Sequence, residues 1–312
     1  MSFGQSWMLL PSPYVLFSST IYTHYLTIIQ VLESESAEKL PRIWWCPTGP
    51  LVFLPIHAAG NYVQGRAIPK ECLSDFAVSS YIPTVNVILK PSELDSVKKL
   101  GNAPTGLLIV VQPNTPDKPQ ILGVKDEANR ISEQLAKRNI SSITLGDEQG
   151  TVDDVLKAME SFTSIHLACH ASQNKENPLK STIYLHDGPL ELSKIMKKNL
   201  LYSDFAFLSA CQTSTGDANL PEEVVHLAAG MMAAGYRSVV GTMWSIADVH
   251  GPDMAELFYM NLLEDTTTNE SGGIDGVRAA RALHRAACSL REKLFDSTDS
   301  LLAWVPYIHI GI

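Results

Sequence analysis

The strongest constraint on this chain is a set of short, unbroken apolar runs separated by helical patterns. Runs of strand length occur at Ile43–Cys46, Leu51–Leu54, Leu107–Val111, Ile165–Cys169, Phe205–Ser209 and Ser238–Thr242. A strand with one wet face alternates apolar and polar residues, whereas continuous runs of this length fit strands buried on both faces. Between them, Lys125–Arg138 sets Ala128, Ile131 and Leu135 at helical spacing. Pro221–Ala234 opens on Pro221, Glu222 and Glu223 and stops at Gly235, a well-marked helix start and stop. Pro252–Leu263 and Gly276–Leu294 read as further helices. This alternation predicts an α/β fold with a mostly parallel central sheet and helices on both faces. The Pro-bearing stretch Gln112–Gln120 and the polar stretch Glu264–Gly273 read as loops.

Sheets of this kind bind ligands outside the carboxyl ends of their strands. Two such ends carry chemistry. The apolar run Ile165–Cys169 leads into His170, then Ala171 and Ser172. The run Phe205–Ser209 leads into Ala210, Cys211, Gln212 and Thr213. If these strands are neighbours, His170 and Cys211 meet at one sheet edge. A thiol with an ordinary pKa near ~8.5 is only a few per cent ionised at neutral pH, and a nearby imidazole activates it. Backbone N–H groups after the His and at the Cys can then receive a developing oxyanion. Ala171 and Ala210 are small enough to let a substrate backbone approach.

Other residues in these runs carry plainer expectations. Strand alternation puts Cys169 on the face opposite His166 and His170, which makes it a small core residue. Cys46, Cys72 and Cys288 are read as structural thiols. His166, inside the strand, is expected to be a satisfied core histidine. A metal site at His166, Cys169 and His170 is disfavoured, because on a strand the two His lie about 13 Å apart.

Charge and cysteine usage narrow the partners. A net charge of −9 with no Lys/Arg cluster argues against nucleic acid. Five cysteines at irregular spacings fit a reducing, cytoplasmic setting better than a disulfide framework. The first thirty residues are apolar and aromatic, yet Pro11, Pro13, Ser18–Thr20 and His24 interrupt them, so no membrane span is expected. No Lys or Arg precedes Lys39, which disfavours a signal peptide. A helix over residues 20–32 is expected within an appended piece covering 1–40, with the main domain over 41–312. The apolar piece suggests docking to a further domain or protein.

Several blocks together resemble the CHAT family, caspase-like domains often found beside tetratricopeptide repeats. They are Arg42-Ile43-Trp44-Trp45-Cys46-Pro47-Thr48-Gly49-Pro50-Leu51 with Leu54–Gly60, Ile165–His170, Leu208–Thr213, and Glu223–Trp244 followed by Asp248. The Trp44–Pro50 stretch resembles fungal members in particular. The resemblance implies a caspase-like three-layer sandwich and a cysteine endopeptidase, with His170 as base and Cys211 as nucleophile. It implies an oxyanion site at the amides of Ala171 and Cys211, and no metal or organic cofactor. The residue after the family's His is usually Gly; here it is Ala171. In the related separases an acid in a similar block recognises a basic residue before the cut, which assigns Asp248 to substrate binding, with Ser209 and Gln212 beside the nucleophile. The plain alternative for Asp248 is a loop or helix-capping residue before Pro252. The implied partners are a protein or peptide substrate and a tetratricopeptide-repeat or other regulatory unit, in cell-death-type signalling. Two other functions stay open: a catalytically silent interaction module, and a different cysteine enzyme such as a thioesterase or acyltransferase.

Overall fold

The computed structural model describes residues 8–9, 15–16, 40–63, 66–89, 106–172, 174, 176–198, 200, 202–209, 223–244, 246, 248–264, 274–294 and 300–312. The helix expected over 20–32, most of the 1–40 piece, and Cys211 and Gln212 lie outside these residues.

From residue 40 onward the strands in chain order are β1 (Arg42–Trp45), β2 (Gly60–Val63), β3 (Arg66–Cys72), β4 (Val78–Tyr81), β5 (Leu107–Val111), β6 (Ser142–Gly146), β7 (Ser164–Ala168), β8 (Ala171–Ser172), β9 (Thr182–Leu185), β10 (Gly188–Glu191), β11 (Phe205–Leu208), β12 (Ser238–Thr242) and β13 (Tyr307–Gly311). The helices used below are α1 (Val124–Ala136), α2 (Val152–Met159), α3 (Leu192–Met196), α4 (Glu223–Ala233), α5 (Gly251–Leu262), α6 (Ala279–Lys293) and α7 (Ser300–Trp304).

Eight strands form the central sheet in the order β1-β4-β13-β12-β11-β7-β5-β6. Neighbours run parallel except at β12 and β13, which pair antiparallel. Every residue of β5, β7, β11, β12 and β13 is buried, as the continuous apolar runs require. Side chains alternate between two apolar layers. Leu107, Ile109, Val111, Phe205 and Phe207 pack with α1, α5 and α6. Leu108, Val110, Ile165, Leu167, Ala206 and Leu208 pack with α2, α3 and α4 on the other face. The result is the expected three-layer α/β sandwich with a mostly parallel sheet.

Helix α1 illustrates why these segments are helical. Val124, Ala128, Ile131 and Leu135 fall on one buried face, and Asp126 and Glu127 sit in the first turn where acids complement the helix dipole. One expected strand is different: Leu51–Leu54 falls largely in a short 3-10 turn, Gly49–Phe53, with Pro50 at its start and Gly49 at φ +57°. Pro fixes φ and removes a ladder donor, which favours the turn over a paired strand. Three small antiparallel assemblies lie outside the main sheet among the described residues: the pair Met8–Leu9 with Val15–Leu16, the β2–β3 hairpin, and the β8-β9-β10 sheet that begins directly after His170. Among the described residues no helix is long and apolar enough to cross a membrane.

Candidate active site

Strand β7 delivers three reactive side chains to different surroundings. Cys169 is fully buried among Ile165, Leu167 and the α2–α4 layer. Burial pushes its thiol up to about 12, so it is a core residue and not a nucleophile. His166 faces the other layer and is also fully buried. Its ring stacks on Phe207 at 4.8 Å, its Nδ1 lies 3.2 Å from the Tyr259 hydroxyl, and its Nε2 lies 3.1 Å from Glu127 Oε1. Nε2 and Oε1 are close but not aligned as a hydrogen bond, so this is a charge or dipole contact. His166 is therefore the core histidine that its place inside the strand suggests.

His170 stands one residue past Cys169, at the carboxyl end of the sheet, and is 1% exposed. Its Nε2 lies 2.7 Å from the carbonyl oxygen of Pro119. A carbonyl can only accept, so Nε2 carries the proton and Nδ1 of the neutral ring carries the lone pair. The His170 carbonyl in turn accepts the amide of Tyr184 at 2.8 Å. Ala171 follows in β8, buried and in register with Ile183.

Asp248 precedes α5 and is exposed. Partial desolvation raises its carboxyl above the usual range; a His170 charge pulls it back and Glu127 pushes it further up. Asp248 is thus within electrostatic reach of His170. Its backbone packs on Gly123, where an added Cβ would stand 2.7 Å from the Asp248 carbonyl oxygen. The N-cap of α5 is His250, so Asp248 does not cap that helix. Ser209 is buried one residue past β11. The structure therefore brings His170, Ala171 and Asp248 to one region.

Two participants are invisible to residue-type reasoning. Pro119 acts through its main-chain carbonyl, and nothing in a Pro-rich loop signals that role. Tyr184 acts through its amide. Among the described residues no three His, Cys, Asp or Glu side chains cluster in a way that could hold a metal ion.

A sequence profile of the CHAT domain matches residues 18–312. No curated protein sequence matches the chain. Among solved structures the chain is similar to the Arg-specific cysteine proteinase gingipain R (RgpB), at 12% identity and a TM-score of 0.53, over 94% of this chain and 67% of that one. It is similar, with a TM-score of 0.50 and 12% identity, to the complex of Porphyromonas gingivalis RgpB pro- and mature domains, over 94% and 68% of the two chains. It also matches the Saccharomyces cerevisiae separase–securin complex at 13% identity and a TM-score of 0.44, over 77% of this chain and 14% of that one. At such identities the likeness to gingipain is one of fold. With nearly its whole length matched by one profile, the chain belongs to the CHAT domain family.

Proposed function

We propose that this protein is a cysteine peptidase in which His170 and Cys211 form the catalytic dyad. One observation carries the reading. In the β7–β11 ladder each residue pairs with the one 41 positions away, as Phe205 does with Ser164 and Leu208 with Leu167 (208 − 167 = 41). The sequence separation of His170 and Cys211 is the same (211 − 170 = 41). An equal separation is what two neighbouring parallel strands need if the reactive residues that follow them are to meet at one sheet edge. Neighbouring strands that both end in chemistry thus supply nucleophile and base at one edge.

The mechanism follows from these roles. The Cys211 thiol passes its proton to His170 Nδ1, and the thiolate attacks the scissile carbonyl. The amides of Ala171 and Cys211 hold the oxyanion. The carbon–nitrogen bond breaks as His170 returns the proton to the leaving amine, which gives a thioester. Water then attacks that thioester with His170 again as base, and acid and thiol are released. The Pro119 carbonyl orients the ring by accepting its Nε2–H.

Asp248, exposed and near His170, pairs with a basic side chain before the cut. The Arg specificity of gingipain R agrees with that preference. Ser209 and Gln212 flank the nucleophile and contact substrate. Four of the five cysteines are described and all four are free, which supports a cytoplasmic setting. A regulatory partner such as a tetratricopeptide-repeat unit docks on the appended amino-terminal piece. The test is stoichiometric labelling of Cys211 by a thiol-reactive probe in the protein and in His170→Ala. Fast labelling that His170→Ala suppresses supports the dyad; equal labelling in both sinks it and leaves an interaction module.

A further inference from the structure

The bond from His170 to Pro119 raises a physical question: what holds a loop carbonyl at 2.7 Å from a catalytic ring? The loop between β5 and α1 is tied at two points by its own backbone. The Ile121 amide donates to the Pro113 carbonyl at 3.0 Å, and the Lys118 amide to the Thr115 carbonyl at 3.1 Å. Neither bond reaches the sheet that carries His170. At the start of the loop the Gln112 amide does, donating to the Ala168 carbonyl at 2.9 Å. Nearer Pro119 a separate contact does. Lys118 Nζ stands 4.4 Å from the centroid of the Tyr184 ring.

Tyr184 is itself fixed to the catalytic strand end. It lies on β9, and its amide donates to the carbonyl of His170 at 2.8 Å. Its hydroxyl shares a hydrogen bond with Ser172 Oγ at 3.0 Å, and Ser172 Oγ pairs with Thr182 Oγ1 at 2.9 Å. One residue therefore grips both sides of the His170–Pro119 bond. Its amide holds the main chain of His170, and its ring face receives the ammonium of the residue before Pro119.

We infer that Lys118 and Tyr184 form a positioning clamp that holds the Pro119 carbonyl against His170 and so fixes which imidazole nitrogen carries the proton. The inference rests on the peptidase reading of His170. The clamp touches neither substrate nor the reacting atoms; it acts through the carbonyl. The hydroxyl of Tyr184 is held below its usual range, first by the Ser172 hydrogen bond and further by the charge of Lys118, which is consistent with an ammonium resting on that ring. A cation on a partly exposed aromatic face is worth a factor of about 5 in the population of the closed arrangement.

The test uses the whole chain with its histidine rings nitrogen-labelled. Wild type is expected to show a slowly exchanging, hydrogen-bonded Nε2 proton on His170, assigned by its loss in His170→Ala. Lys118→Met keeps the side chain's length and removes its charge; the proton should exchange about 5-fold faster. Lys118→Arg should restore it, and Tyr184→Leu, which keeps the amide but not the ring, should behave as Lys118→Met does. In peptide hydrolysis Lys118→Met should lower kcat about 5-fold with KM unchanged. An exchange rate that Lys118→Met leaves unaltered, or a loss that Lys118→Arg fails to rescue, overturns the clamp. If wild type hydrolyses no peptide and its Cys211 labels independently of His170, the peptidase reading has failed, and the exchange measurement still decides the clamp. Should Tyr184→Leu unfold, the partly exposed Lys118 variants decide alone.

Discussion

The base of the sheet offers a sharp energetic test at Asp204. This residue precedes β11 and is fully buried. Its carboxylate receives Arg237 Nε at 2.8 Å, Arg237 Nη2 at 2.6 Å and the Gly276 amide at 2.9 Å. The Arg237 side chain is only 9% exposed, with Asp275 next nearest at 3.7 Å. Asp204→Ala removes three charge-assisted bonds and leaves a guanidinium in dry surroundings. Orphaning one partner of a buried pair costs about 3–5 kcal/mol. For a chain of this size that lowers Tm by about 5–8 °C. Arg237→Ala should cost a similar amount, because it removes the guanidinium that neutralises the buried carboxylate. The double variant should lose clearly less than the sum, since the pair's attraction largely offsets its own desolvation. Urea and thermal unfolding of the four proteins measure this cycle. Single variants within about 1 kcal/mol of wild type, or a double variant equal to the sum, would refute the reasoning. The His170-dependent labelling of Cys211 should survive in any of these variants that stays folded, because the pair lies at the opposite end of the strands.

Other consequences can be measured independently. Burial pushes the imidazole of His57 down from its ordinary 6.5 to about 4, and the Val305 carbonyl only partly offsets that. The folded state favours neutral His57 while the unfolded chain protonates it, so stability is present above the ordinary value and is lost as pH falls toward about 4. His57→Gln should make that loss shallower by about 1.4 kcal/mol per pH unit, measured by urea unfolding between about pH 7 and pH 5. Gly311→Ala places a Cβ against the Arg237 carbonyl at a φ of +121°, so it should lose more than about 2 kcal/mol in the same assay. The raised carboxyl of Asp248 should make KM for substrates with Arg before the cut climb as pH falls through a window just above 3.8. Asp248→Asn should raise that KM about 10-fold or more and flatten its pH dependence.

The legible and illegible parts of the fold differ in their surroundings. Strands β5, β7, β11 and β12 are buried on both faces, and their unbroken apolar runs announce them. β6 is an edge strand whose Ser142, Ile143 and Thr144 are exposed, so no apolar run marks it. β4 reads Val-Ser-Ser-Tyr, where Ser80 is buried only because Arg42 and His309 hydrogen-bond it. β13 hides His309 in the same network, with Ser238 as second partner at 2.7 Å. Long-range polar pairing of this kind leaves no periodic trace. The site divides in the same way. His170 is marked by its place at a strand end, the plain reading of Cys169 follows from strand alternation, and that of His166 from its place inside the strand. Pro119 acts through a main-chain carbonyl that every residue possesses, and the amide and ring of Tyr184 meet His170 and Lys118 only through long-range packing, so residue type alone could not reveal them.

The dyad is tested most directly by cleavage of a random fluorogenic peptide library with wild type and Cys211→Ala in parallel. The account predicts cleavage by wild type, enriched for a basic residue before the cut, and its loss in Cys211→Ala. Equal cleavage by Cys211→Ala, or no cleavage by a wild type whose Cys211 labels independently of His170, would contradict it.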